Sequence, residues 1–420
     1  MANIYFITQG CAANIADSET MQGILAEQGH EIVHDIKQAD IVVFNTCTVK
    51  GKTEATFKRK LEELKKQKKK VIVAGCIPQS QLKDYQEFSR VGTFQIKKVI
   101  DAVNQTLKGK IVSYLERNDE GRLNIPKIRK NDLIEIVPIS QGCLNSCTFC
   151  KTKHARGELK SYQIKDIVRH ISKAVEQGAK EIWLTSQDNA AYGFDINTNL
   201  ANLLKEVLTI DRDFKIRLGM GNPQHFVNYL DDLIKVLKEK RVFKFLHIPM
   251  QAGSNKVLKD MNREYEISTF RKVVKKLRKE IPDISIETDI IVGFPSENEE
   301  DFNETLNEIK NNELDMINYS RYWPRPGTPA ARMKQINGGI IRDRIVKLVK
   351  VFHDVAQAHN QQFLNKKETI LITEKGKNGT FIGKNNNYKQ VIVKGNTKIG
   401  KEVNVKIKSV THLDLRAEII

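Results

Sequence analysis

Short apolar runs separated by helical stretches fill the first hundred residues. Asn3-to-Thr8 (NIYFIT), Asp40-to-Asn45 (DIVVFN) and Val71-to-Ala74 (VIVA) read as buried strands. Ile15 to Gln28 has helical spacing, and a Lys-rich helix follows the second strand. Apolar strands alternating with helices predict a parallel sheet. Residues 111–132, which include NIPKIRKND, are polar and basic and read as a linker. A second series of the same kind then begins: IEIVPIS (134–140), EIWLTS (181–186), KIRLGM (215–220), KFLHIPM (244–250), SIETDIIVGF (285–294) and MINYSRY (316–322). Six β/α units joined by short loops predict a partial barrel, open where an eightfold one would close. Residues 340–362 read as one more helix. From Glu368 the period changes: Val403, Val405 and Ile407 alternate with Asn404, Lys406 and Lys408, giving one buried face and one basic face. The expected α/β chain is an N-terminal parallel-sheet domain (1–110), a basic linker (111–132), a partial (β/α)6 barrel (133–360) and a small antiparallel β-barrel (361–420).

Charge adds a partner class. The 420 residues carry 69 Lys+Arg against 51 Asp+Glu, a formal charge of +18. Residues 361–420 hold twelve Lys+Arg against five acids, a net of +7. Such an excess suits a polyanion, nucleic acid before membrane surface, and small barrels with a basic face commonly bind RNA. The competing reading is lysine as a solubiliser, coating an edge against aggregation. RNA contacts are expected from Lys127, Arg129 and Lys130 in the linker and from Lys406 and Lys408; Lys65 to Lys70 is either a phosphate stripe or a solvated run. No window holds eighteen apolar residues, so no membrane span is expected. MANIYFITQG lacks a basic stretch ahead of an apolar one, so a cytoplasmic location is expected. No stable protein partner is expected.

The chemistry lies in six cysteines, all within the first 150 residues. Cys143, Cys147 and Cys150 form CxxxCxxC in the loop after the first barrel strand, where β/α barrels carry their active sites. Structural zinc needs four ligands; His154 is the nearby candidate for a fourth. Three thiolates suit a 4Fe–4S cluster with one open iron, which can chelate S-adenosylmethionine (SAM) and reduce it to a 5′-deoxyadenosyl radical. Phe149, between two ligands, is placed to shield such a cluster. Cys11, Cys47 and Cys76 each end an N-terminal strand (FITQGC, VVFNTC, VIVAGC). Strand ends of a parallel sheet share one edge, so these three should converge on a second, auxiliary 4Fe–4S cluster, with helix N-termini favouring thiolate. Three unrelated buried cysteines are the alternative. Gly10 and Gly75 before two of them allow close approach of a bulky group.

These residues together resemble the radical-SAM methylthiotransferases over nearly the whole chain. The N-terminal three-cysteine domain, the CxxxCxxC barrel and a TRAM-like terminal barrel all have counterparts. NTCTVK (45–50), AGCIPQ (74–79), GCLNSCTFCKTKHARGELKSY (142–162), FLHIPMQAGSNKVLKDMNREY (245–265) and YWPRPGTPAARM (322–333) carry the likeness, and CKTKHARG is particular to the archaeal and eukaryotic branch acting on tRNA. The resemblance implies methylthiolation at carbon 2 of N6-threonylcarbamoyladenosine, position 37 of the anticodon loop, with one SAM methylating a sulfur on the auxiliary cluster and a second supplying the radical. It also implies a sulfur donor and an electron donor. By the same likeness Ser186, Gln187 and Asp188, and Gln251 and Ser254, could hold polar groups of SAM; they could equally cap loops. Ile290 to Val292 could meet the adenine, and His154 or Arg156 the substrate. The rivals are isopentenyladenosine in tRNA, a ribosomal protein (which a +18 enzyme would repel) and a non-catalytic iron–sulfur RNA-binding protein.

Overall fold

The computed structural model describes residues 1–49, 51–118 and 121–420; Lys50, which ends NTCTVK, and Asp119 and Glu120 of the linker lie outside the described residues. The N-terminal domain runs β1 (Asn3–Thr8), α1 (Ala12–Glu27), β2 (Glu31–Val33), β3 (Ile41–Thr46), α2 (Gly51–Lys66), β4 (Lys70–Gly75), α3 (Cys76–Ser80), β5 (Ser89–Gly92), α4 (Val99–Leu107) and β6 (Ser113–Tyr114). Its six strands form one parallel sheet in the order β2-β1-β3-β4-β5-β6. Ile4, Val43 and Ile72 bury on one face against Met21, Val99 and Val103. Val42, Phe44 and Val73 bury on the other against Phe57 and Leu61 of α2. Because β1, β3 and β4 are neighbours, the three strands that end in cysteine lie side by side.

The second domain contains β7 (Ile134–Pro138), β8 (Ser140–Gln141), α5 (Thr152–Arg156), β9 (Lys160–Ser161), α6 (Ile164–Glu176), β10 (Glu181–Thr185), α7 (Leu200–Val207), β11 (Lys215–Leu218), α8 (Pro223–Phe226), α9 (Leu230–Leu237), β12 (Phe245–His247), α10 (Asn255–Asp260), α11 (Ile267–Glu280), β13 (Ser285–Val292), α12 (Glu299–Asn311), β14 (Met316–Arg321) and α13 (Gly338–Asn360). Two parallel ladders, β7-β10-β11 and β12-β13-β14, are joined by backbone bonds from Ile216 N to Arg241 O (2.7 Å) and Phe243 N to Ile216 O (3.0 Å). The six strands therefore follow one another around a partial barrel, and β7 and β14 do not pair with each other. Helix α1 packs on β7, with Ala16 against Ile134 and Ile136.

The segment after β6 is no free tether. Ile128 N donates to Glu19 O at 3.0 Å, and Gly23 is pressed so closely on Pro126 that a Cβ would lie 2.4 Å from its carbonyl. The expectation that Lys127 and Arg129 meet RNA is corrected here. Lys127 Nζ pairs with Glu19 (3.2 Å) and with Glu135, and Arg129 Nε with Glu135 at 2.6 Å. Glu135 is buried, and its charge requires these cations inside the protein. Burial alone would raise the Glu135 carboxyl, but His170 and Lys127 hold it down to about 2. Lys130 is exposed.

The terminal domain, β15 (Lys367–Lys375), β16 (Phe381–Lys384), β17 (Gln390–Lys394), β18 (Glu402–Val410) and β19 (Asp414–Ile419), closes in the order β15-β16-β17-β19-β18. It is not wholly antiparallel: β17 and β19 run parallel. A ring of five strands cannot alternate direction throughout, so one neighbouring pair must run the same way. Val403, Val405 and Ile407 fill its core as their alternation predicts. Its Lys384–Lys389 turn docks on the central barrel. Tyr388 stands 4.9 Å from Phe245 and 5.0 Å from Phe243, ring to ring, with the Arg217 guanidinium 5.6 Å from its ring. Lys389 Nζ reaches fully buried Asp315 at 2.8 Å, which His359 (2.7 Å) and Arg278 (3.2 Å) also contact. Burial would raise the Asp315 carboxyl; Lys389, His359 and Arg278 instead hold it down to about 2.

Tyr388→Ala should destabilise the terminal domain by about 3 kcal/mol, seen as faster proteolytic release of residues 361–420; an unchanged cleavage rate would refute the role of the ring. Asp315 and Glu135 are both depressed, so their stabilisation is complete above the ordinary carboxylate range near pH ~4 and is lost as pH falls toward about 2. Melting temperature should fall across that window, less so in Asp315→Asn.

Candidate active site

The three N-terminal cysteines converge as their strand ends require. Asn14, one turn into α1, gathers them. Its Oδ1 lies 3.6 Å from Cys11 Sγ and 3.7 Å from Cys76 Sγ, while its Nδ2 donates to Thr46 O at 2.7 Å, beside Cys47. Gly10, at φ +116°, passes so close that a Cβ there would lie 2.8 Å from Cys47 Cβ and 3.0 Å from its Sγ. Gly75, at φ +89°, would place one 2.2 Å from Asn45 Oδ1. Both glycines are thus needed for positive φ and for close approach.

The helix-dipole expectation is corrected for Cys47 and Cys76. Cys11 caps the sixteen-residue α1, but Cys47 sits four residues ahead of α2, and α3 has only five residues. Burial outweighs the dipole: it pushes the Cys47 thiol up to about 12, helped by Cys76 and Cys11, and raises Cys76 too. Ligation must therefore displace protons.

Cys143, Cys147 and Cys150 occupy the loop between β8 and α5. Cys150 N bonds Cys147 O at 3.0 Å, and Thr148 ties the loop to the barrel through Met261 O (3.0 Å) and Asp260 O (2.8 Å). Arg263 donates to Cys147 Sγ at 3.3 Å and to Asn222 Oδ1. Burial and the nearby Asp188 carboxylate push the Cys143 thiol up to about 12. Among the described residues no three Cys, His, Asp or Glu side chains meet closely enough to ligate one ion. Each trio offers three thiol donors, which suits three corners of a cubane and leaves its fourth iron open.

The two trios are linked through α5, which follows Cys150 directly. Arg156 at its end crosses to the N-terminal site, with Nη2 3.1 Å from Asn14 Oδ1 and 2.8 Å from Asp17 Oδ2.

Comparisons with known proteins identify the family. Residues 3–94 match the uncharacterized protein family UPF0004, residues 137–309 the radical SAM superfamily and residues 361–420 the TRAM domain. A probable threonylcarbamoyladenosine tRNA methylthiotransferase of Pyrococcus abyssi is 42% identical, with all of each chain covered. The threonylcarbamoyladenosine tRNA methylthiotransferase of Homo sapiens is 41% identical over 96% of this chain and 72% of its own length. The chain belongs to the threonylcarbamoyladenosine tRNA methylthiotransferase family. The radical SAM methyltransferase TsrM of Kitasatospora setae, solved with cobalamin and a [4Fe-4S] cluster, shares the fold at a TM-score of 0.58 and 14% identity, over 79% of this chain and 77% of that one.

For a member of this family, the other expected residues fall into distinct groups. Ser186 Oγ is buried without a hydrogen-bond partner and stays available to a ligand. Gln187 Oε1 accepts from Gly142 N at 2.7 Å, bracing the cysteine loop. Asp188 uses both oxygens internally: Oδ1 accepts from Ala190 N (3.1 Å) and Asn222 N (3.0 Å), and Oδ2 from Asn222 Nδ2 (2.6 Å). Ser254 stands at the N-cap position of α10 but makes no side-chain capping bond, its Oγ donating instead to Asp301 Oδ1 at 2.7 Å. Gln251 adopts φ +67°, unusual outside glycine, and pairs by backbone with Asp289 and Ile291. On β13 the alternation buries Ile290 and Val292 in the apolar core and turns Ile291 to the face of Glu287 and Asp289. Phe149 packs half-buried against that core.

Sequence reasoning missed Asn14, Asp17, Arg122 and Arg263. One signal was present: α1 buries Asn14, Asp17, Ser18, Glu19 and Thr20, polar residues on a face that should otherwise be apolar. Gly10→Ala tests the close approach at Cys47. It should lower bound iron to about half of wild type while SAM cleavage persists; unchanged iron content would contradict it.

Proposed function

We propose that this protein methylthiolates carbon 2 of N6-threonylcarbamoyladenosine at position 37 of tRNA. The observation that carries the proposal is the juxtaposition of two three-cysteine sites through α5, within a chain 42% identical over its full length to a relative of that name. Cys143, Cys147 and Cys150 would hold a [4Fe–4S] cluster that cleaves bound SAM reductively, and Cys11, Cys47 and Cys76 a second one that carries sulfur.

The chain's own residues set the conditions for that chemistry. Arg263 donates to Cys147 Sγ and so orients one of the three sulfurs. Ser186 Oγ and Gln251, whose strained backbone sits at a strand end, are available to polar groups of SAM, and Ile291 presents an apolar surface for its adenine. Helix α1, packed on β7, sets the N-terminal cysteine edge beside the barrel, and the space between the trios is where a substrate would reach both. The target edge of an unpaired, splayed base must enter that space. Lys406, Lys408 and the exposed linker residue Lys130 supply charge for the anticodon stem-loop. Lys408 also sits 3.4 Å from Glu418, both half-exposed, so that pair is weak and competes little with phosphate. A cytoplasmic site of action and separate electron and sulfur donors complete the reading.

Anaerobically reconstituted protein, SAM, a reductant, sulfide and tRNA bearing N6-threonylcarbamoyladenosine should yield 5′-deoxyadenosine and the 2-methylthio nucleoside by mass spectrometry. Triple Ala replacement of Cys143, Cys147 and Cys150 should abolish both products. Modification of isopentenyladenosine or of a ribosomal protein instead would refute the assignment, as would uptake of one zinc and no iron.

A further inference from the structure

Where the N-terminal sheet edge, the linker and the barrel's cysteine loop meet, the buried charges do not cancel. Asp17 Oδ2 is 2.8 Å from Arg156 Nη2, and its Oδ1 is bound by Arg122 Nη1. Arg122 Nε donates to neutral Gln141 at 2.7 Å. The side chains of Asp17, Arg122 and Arg156 are only 3–4% exposed. Two guanidinium groups thus share one carboxylate, and Asp17 is the one carboxylate either of them pairs with among the described residues. A buried charge in excess is costly unless an anion meets it.

What faces the excess is sulfur. Arg156 Nη2 donates at 3.1 Å to Asn14 Oδ1, the same atom that lies 3.6 Å from Cys11 Sγ and 3.7 Å from Cys76 Sγ. One shared amide oxygen thus stands between the Arg156 guanidinium and both sulfurs. Three thiolates around a [4Fe–4S]2+ core carry a net negative charge, and reduction adds one more unit. Charge and hydrogen bonds near sulfur are what set a cluster's potential.

We propose that Arg156 is the charge partner of the auxiliary cluster, a positioning residue that favours its reduced form, rather than a contact to the tRNA base. The proposal rests on the reading that Cys11, Cys47 and Cys76 hold a [4Fe–4S] cluster. It also gives Asp17 a role of opposite sign, because that carboxylate moderates the same guanidinium.

The test uses full-length protein with Cys143, Cys147 and Cys150 all replaced by Ala, so that only the auxiliary cluster forms on reconstitution with iron and sulfide. A redox titration followed by electron paramagnetic resonance reads its one-electron midpoint. Arg156→Gln should make reduction at least tenfold less favourable, a downward shift of about 59 mV or more. Asp17→Asn should shift the midpoint upward, and Arg156→Lys should restore most of the parental value. The proposal is overturned if Arg156→Gln leaves the midpoint unchanged, or if Asp17→Asn shifts it downward as well, since mere loosening of the site would move both one way. Should Arg156→Gln not fold, the Asp17→Asn shift decides by its sign: upward supports the proposal, and none or downward overturns it. A parent protein that takes up no iron would instead remove the cluster reading itself, and the role of Arg156 with it.

Discussion

The structure depends on one buried contact, the Asp17 carboxylate held between Arg122 and Arg156. These three side chains come from α1, from the linker and from the helix that follows the barrel cysteines. Together with the packing of α1 on β7 and the Arg325–Glu54 pair, that contact fixes the cysteine edge of the N-terminal sheet relative to the barrel. With it, the two trios become parts of one site. Replacing Asp17 would leave two buried guanidinium groups without their carboxylate, which is the expensive way to break an ion pair.

The same logic recurs at the other joints of the chain. Glu135 is held by Lys127, Arg129 and His170 where the linker crosses β7. Asp315 is held by Lys389, His359 and Arg278 where the terminal barrel docks. Arg325 pairs with Glu54 at 2.7 Å, fastening the loop after β14 to α2. Each domain has its own apolar core, and the joints rely heavily on charge-assisted contacts. Apolar burial is not directional, whereas hydrogen-bonded ion pairs fix orientation. A site assembled from three pieces of chain needs orientation more than it needs further buried area.

Part of the positive charge is therefore structural. Lys127 and Arg129 sit in a stretch that looks like a basic surface, yet both are neutralised within the protein. Lys130, one residue further, is exposed. Composition counts these three alike; only the position of Glu135 across the fold separates them. The same holds for the cysteines. A helix start favours thiolate, but Cys47 and Cys76 are so deeply buried that desolvation dominates, and ligation rather than the dipole must bring them to the anionic form.

The sequence by itself determined the elements and most of the architecture, because hydrophobic period is local and depends only on neighbours along the chain. The apolar strands, the six β/α repeats and the period-two terminal strands could all be read that way. So could the six cysteines: CxxxCxxC is compact, and the N-terminal three each end a strand. Tertiary structure decided what depends on partners distant in sequence. It made β1, β3 and β4 neighbours, forced β17 and β19 parallel to close an odd ring, engaged both oxygens of Asp188 internally, and brought Arg156 to Asp17, more than a hundred residues away. No local pattern announces an ion pair across such a distance, since neither residue's choice is constrained until the other is placed beside it.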